Sequence, residues 1–170
     1  LVDYSPFPMW VGSPNGTTLR GNKALYKSLN LSPEQVVGKY NLLNDDNLQS
    51  PEIAAKLQRL FNRKEQIQFK LNWQAHAVSA VDFTNGKNLT IDVSIFPLLD
   101  QSGEITHIIC QWLDLTEYLQ AKRELAASEE RFRTICEKAP IFINGFSDDG
   151  RCILWNQQCR ETFGWTREEI

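Results

Sequence analysis

Four thiols, Cys110, Cys136, Cys152 and Cys159, and two imidazoles, His76 and His107, are the side chains best suited to metal ligation, redox exchange or nucleophilic attack. Their spacing supports none of these. No two cysteines stand two residues apart and no histidine partners them, so zinc and dithiol motifs are not formed and no metal site is expected. The sequence has no Gly-rich phosphate loop, nucleophile elbow or paired-histidine zinc helix. No residue is therefore assigned a catalytic role. The thiols are expected to be reduced and buried, as in a reducing compartment.

A net charge of -3, with basic residues spread among acidic ones, argues against a nucleic-acid partner. The densest basic group, Lys122, Arg123, Arg131 and Arg133, alternates with Glu124, Glu129 and Glu130 and reads as a solvated helix face. Apolar residues make up 42% of the chain, yet no run of ~18 uncharged apolar residues occurs, so neither a membrane span nor a signal peptide is expected within it. The expected location is cytoplasmic, any membrane attachment of a larger parent lying outside these residues.

What remains is recognition, and the elements that would build a recognition site are duplicated. Slid so that Asn22 falls on Asn156, residues 1–36 meet residues 135–170 without a gap. Pro6 then meets Pro140, Ser13 meets Ser147, Gly16 meets Gly150 and Glu34 meets Glu168. Met9 with Ile143, Leu19 with Ile153 and Leu29 with Phe163 keep their character. Asn15-Gly16 and Asp149-Gly150 are hairpin signals between apolar runs. Ser32 with Gln35 and Thr166 with Glu169 form two capping boxes at equivalent places.

The first copy predicts a hairpin over 7–12 and 17–21, helical spacing at Ala24, Leu25 and Leu29, and a short helix from Ser32-Pro33 that Gly38 ends. Ser50 caps a longer helix whose Ile53, Leu57, Leu60 and Phe61 fall on one face. Ile67, Phe69, Leu71 and Trp73 alternate with polar residues, as do Leu89, Ile91, Val93 and Ile95, the two-residue period of strands with one wet face. Asn85-Gly86 is expected to tip the loop between them, and a turn at 100–103 leads to a last strand over 104–113. The fold class is α+β: a sheet of about five antiparallel strands with short helices on one face.

The Asn15-Gly16 turn, Asn22, the Ser32-Pro33-Glu34 cap, Gly38 and the Asp114-Leu115-Thr116-Glu117 exit together resemble a PAS domain. Residues 126–140, with Ser128-Glu129-Glu130-Arg131-Phe132 and Ala139-Pro140, resemble the signalling helix that joins one PAS domain to the next in bacterial sensor proteins. The resemblance divides the chain into a PAS domain lacking its N-terminal cap (1–113), a helical linker (114–138) and the truncated start of a second PAS domain (139–170). With no sheet to join, that last piece is expected to be mobile or exchanged between chains.

The family implies detection of a small ligand or conformational cue, passed through the exit helix to a histidine kinase or a cyclic-di-nucleotide enzyme. His76 precedes Ala77 and His107 lies in a predicted strand, so neither resembles a phosphoacceptor. Haem-binding members would place a histidine on the long helix, and 52–63 has none. Flavin-linked members use an Asn-Cys-Arg setting, where Lys39-Tyr40-Asn41-Leu42-Leu43 stands here. No cofactor is expected beyond an unidentified small ligand.

Asp114 and Glu117 are spaced as an Asp version of the capping box, and Asp114, Thr116 and Glu117 are the candidate relay positions. Beyond them Tyr118, Ala121, Leu125, Ser128, Phe132 and Ile135 form a heptad seam suited to a parallel homodimer. The roughly 24 linker residues span ~36 Å as helix. Pocket candidates between helices and sheet are Met9, Leu29, Tyr40, Leu57, Phe69, Trp73, Ile108, Cys110 and Trp112. If two of Trp10, Trp73 and Trp112 pointed outward they would form a docking patch, although alternation puts Trp73 inside with Phe69, and Trp112 on the face of Ile108 and Cys110. The resemblance thus implies the input and relay module of a sensor histidine kinase, with downstream PAS and output domains sharing the chain. The alternatives are a diguanylate cyclase output, or a scaffold that binds no ligand and holds two chains in register.

Overall fold

Asn22 closes the opening hairpin and starts a helix in one step. Strands β1 (Met9–Gly12) and β2 (Thr18–Gly21) flank the turn in which Gly16 adopts φ 86°, and helix α1 (Lys23–Leu29) follows with Asn22 as its N-cap. The computed structural model describes residues 2–78, 81 and 86–170; Asn85, expected at a loop tip, lies outside them. Helix α2 (Pro33–Val36) carries the expected Ser32/Gln35 capping box with proline in its first turn. Helix α3 (Pro51–Arg63) is capped by Ser50 and buries Ile53, Leu57 and Leu60, with Phe61 partly buried beside them.

Strands β3 (Ile67–Trp73), β4 (Leu89–Leu99) and β5 (Ile105–Asp114) complete a five-stranded antiparallel sheet in the order β2-β1-β5-β4-β3. The first and last strands pair at its centre, setting Trp10 opposite Cys110. The inner face carries Trp10, Ile67, Phe69, Trp73, Ile91, Val93, Ile95, Ile108, Cys110 and Trp112. Each fully buried Leu or Ile contributes about 1.5–3 kcal/mol through removal from water.

Gly21 matters for the corner between β2 and α1. A Cβ there would overlap Leu25 Cδ2 and sit 2.9 Å from the Tyr26 phenol, and the Gly21 N–H donates to Tyr26 Oη at 3.0 Å. Only a bare backbone lets the helix lie this close.

Leu1–Glu117 and Tyr118–Ile170 are two compact units, and helix α4 (Thr116–Lys138) runs unbroken over 23 residues. The second unit holds β6 (Asn144–Phe146), β7 (Cys152–Trp155) and α5 (Gln157–Phe163), which is capped by Asn156. Its local geometry repeats the first copy around the asparagine that caps the helix. Asn22 Oδ1 accepts from Met9 and Leu25 N–H at 3.1 and 2.8 Å, and its amide donates to Phe7 O at 2.8 Å. Asn156 Oδ1 accepts from Ile143 and Cys159 N–H at 3.2 Å each, and its amide donates to Ile141 O at 2.8 Å. The register irregularity after Val11 recurs after Gly145, and Gly150 has φ 82°. At the position equivalent to Gly21 stands Trp155, packed on Phe163 at a centroid distance of 5.8 Å.

Candidate functional site

The residues between α2 and α3 fold back over the inner face of the sheet. The Tyr40 carbonyl accepts from Thr18 N–H at 2.9 Å, and Asn41 caps the single turn Leu42–Asn44. These contacts carry Tyr40 and Asp45 over a cavity of about 50 Å³, several times the ~10–15 Å³ one water requires. Its wall comprises Trp10, Leu25, Leu29, Val36, Tyr40, Leu42, Asp45, Leu48, Phe69, Leu71, Trp73, Ile91, Val93, Ile95, Cys110 and Trp112.

Six of the residues named from sequence, Leu29, Tyr40, Phe69, Trp73, Cys110 and Trp112, meet at this cavity. Met9, Leu57 and Ile108 do not line it. Met9 is half-buried on the other face of the sheet because the alternation in β1 points Trp10 inward. Leu57 and Ile108 are core, at 6% and 0% exposure. Trp10, Trp73 and Trp112 all face inward, at 3%, 6% and 7%, so they form no outward aromatic patch. Trp10 instead meets Tyr40 edge to face at 5.9 Å.

Asp45, unnoticed in the polar run Asn44-Asp45-Asp46-Asn47, is the most consequential residue of the wall. It is fully buried. Its Oδ2 accepts from the Tyr40 hydroxyl at 2.8 Å and from Trp73 Nε1–H at 3.0 Å, and its Oδ1 accepts from the backbone and side-chain N–H of Asn47 at 2.9 and 2.8 Å. Burial first, and then the negative charge of Asp45, push the Tyr40 phenol well above its usual range. The same two causes raise the Cys110 thiol, so it stands as a neutral thiol rather than a nucleophile.

At the exit of the sheet, Asp114 accepts from the N–H of Thr116 at 2.9 Å, one residue short of the expected partner Glu117. The tie to the sheet is made by its neighbours: Thr116 Oγ1 accepts from Thr90 N–H at 2.9 Å, and Leu115 N–H donates to Thr90 O at 2.8 Å. Along α4, Tyr118, Leu125, Phe132 and Ile135 are 61–68% exposed, and Ala121 and Ser128 are exposed as well.

A family model described as the PAS domain matches residues 6–117. The chain belongs to the PAS domain family. A PAS domain is a sensory module, not a catalytic one. Among solved structures, the LOV domain of the blue-light-activated histidine kinase of Erythrobacter litoralis EL346 is similar at 16% identity and a TM-score of 0.53, over 66% of this chain and 98% of that one. An RNA-binding light-oxygen-voltage receptor is similar at 14% identity and a TM-score of 0.57, over 76% of this chain and 35% of that one. The PAS domain of Bordetella pertussis BvgS is matched at 22% identity and a TM-score of 0.49, over 76% of this chain and 91% of that one. No curated protein matches the chain. Among the described residues no helix is long and apolar enough to cross a membrane, and no group of three or more His, Cys, Asp or Glu could hold a metal ion.

Proposed function

We propose that this PAS domain reads the occupancy or packing of its cavity and passes the change to α4, which relays it to a downstream output. The observation that carries the reading is the place of Thr90. It precedes the cavity residue Ile91, which pairs with Asp114, and it holds the first residues of α4 through both its N–H and its carbonyl. A shift of β4 that accommodates a ligand is therefore felt at the helix start through two hydrogen bonds.

Hydrogen exchange tests this. Ile91→Val removes one methylene from the cavity wall, and Ile53→Val makes the same deletion on α3, away from that wall. The first is expected to speed exchange of the Leu115 amide by about tenfold more than the second, by local opening. Equal effects would overturn the coupling.

The apolar seam left uncovered on α4 supports a homodimer formed by pairing of this helix. Leu125→Glu combined with Phe132→Glu sets like charges across such a pair, and sedimentation is expected to show monomer at concentrations where the unaltered chain is dimeric. An unaltered chain that sediments as a monomer at every concentration would end this reading.

The duplicated hairpin-and-helix geometry supports reading residues 139–170 as the opening of a second PAS domain. Four unpaired cysteines suit a reducing, cytoplasmic setting. The output we favour is a two-component histidine kinase; the Erythrobacter neighbour is itself a domain of a histidine kinase. Autophosphorylation of the full-length parent from ATP supports the kinase; cyclic-di-nucleotide synthesis from GTP would replace it with the alternative.

A further inference from the structure

Two polar groups on the cavity wall differ in what they have left to give. The Asp45 carboxylate takes four donors, from Tyr40, Trp73 and twice from Asn47, which fills the four lone-pair positions a carboxylate offers. It has nothing further to accept with. Trp112 is the reverse. Its side chain lines the cavity and is 7% exposed, and its indole Nε1–H is buried with no hydrogen-bond partner among the described residues. An indole nitrogen can only donate. A buried donor left without an acceptor is uncommon in folded proteins and costs roughly 1–3 kcal/mol.

We infer that the cavity takes a small, neutral, mostly apolar molecule bearing one hydrogen-bond acceptor, such as a carbonyl oxygen, which Trp112 Nε1–H binds. The aliphatic and aromatic lining favours an apolar body. An anion would supply the acceptor but would lie in the same wall as the charge of Asp45, a charge that already acts on Tyr40 and Cys110. A cation would find aromatic faces, yet it would meet a saturated carboxylate and leave Trp112 unpaired. The volume of about 50 Å³ limits the occupant to a few heavy atoms, well under the ~300–1,000 Å³ of drug-sized sites. This inference rests on the reading of the cavity as the sensory site.

Four probes of similar size separate the terms: acetone, isobutene, isopropylammonium and acetate. Titrated into the purified chain, acetone is expected to bind roughly three- to tenfold tighter than isobutene, the net effect of one hydrogen bond. It is also expected to move the Trp112 indole N–H resonance downfield, isobutene leaving that resonance near its starting position. Trp112→Phe identifies the resonance and is expected to bring acetone and isobutene to equal affinity. Equal affinities in the unaltered chain, a stationary indole proton at acetone saturation, or tighter binding of either ion would overturn the acceptor assignment while leaving a ligand site in place. Should none of the four bind, sensing by occupancy falls with the assignment, and sensing by packing alone is left to the proposed function.

Discussion

Asp45→Ala is expected to lower the unfolding free energy of the PAS domain by about 2–4 kcal/mol, measured by urea unfolding at neutral pH. The substitution orphans the buried donors of Tyr40 and Trp73 and two from Asn47. Each unsatisfied buried donor costs roughly 1–3 kcal/mol, and release of a buried carboxylate offsets part of the sum. A loss below about 1 kcal/mol would show that the cluster is incidental to the fold.

The same variant has a signature in pH. Burial, and then Asp45, hold the Cys110 thiol and the Tyr40 phenol in their protonated forms. The folded chain therefore keeps protons that the unfolded chain releases, above about pH 8.5 for a thiol and about pH 10 for a phenol. More protons bound in the folded state means that unfolding free energy falls as pH rises through this range. The stability is whole below it. Without the charge of Asp45 one cause is gone and burial remains, so the decline in Asp45→Ala keeps its slope but is expected to level off at a lower pH, where the folded chain begins to release the same protons. A decline that levels off at the same pH in the two proteins would contradict the assigned cause.

Asn22→Ala and Asn156→Ala should do the same damage in two places. Each asparagine is fully buried and serves the start of a helix, the N–H of the residue that opens or immediately precedes the first strand of its hairpin, and a carbonyl of the incoming chain. Loss of an N-cap costs about 1 kcal/mol and each further buried group left unpaired a comparable amount, giving about 2–3 kcal/mol for either site. Amide exchange resolves them: Asn22→Ala is expected to expose Met9 and Leu25, and Asn156→Ala to expose Ile143 and Cys159. Exchange that rises in only one of the two units, whichever asparagine is changed, would show that the duplication is one of sequence and not of structural role.

These residues also mark where sequence reading succeeds and stops. The alternation in β3 and β4 was legible because polar residues separate Ile67, Phe69 and Trp73, and likewise Leu89, Ile91, Val93 and Ile95, so phase and inner face follow together. In β1 the run Met9-Trp10-Val11-Gly12 contains no polar residue to set the phase, and apolar character alone puts Met9 inward where Trp10 belongs. The pairing of β1 with β5 joins the two ends of the domain, and no local pattern announces it. Asp45 escaped notice because a polar residue within a polar run is ordinarily solvated. Its burial depends on donors brought from Tyr40 and from Trp73, the latter on a distant strand. The role of Asn22 as a helix start could be read from its repeat at Asn156, whereas its reach to Phe7 and Met9 needed the folded hairpin.

The corner at Gly21 restricts how the two halves of this duplication can diverge. In the first half a bare backbone admits the bulk of Leu25 and Tyr26; in the second, the large ring of Trp155 faces a helix bearing Cys159 and Arg160, whose guanidinium donates to the Trp155 carbonyl and pairs with Glu137. A recombinant that traded β2 for β7 while retaining its own helix would bring indole onto leucine in one product and leave a hollow in the other. Such segments can pass between copies only as intact cassettes of hairpin and helix, and drift at this joint has to proceed by linked, compensating replacements.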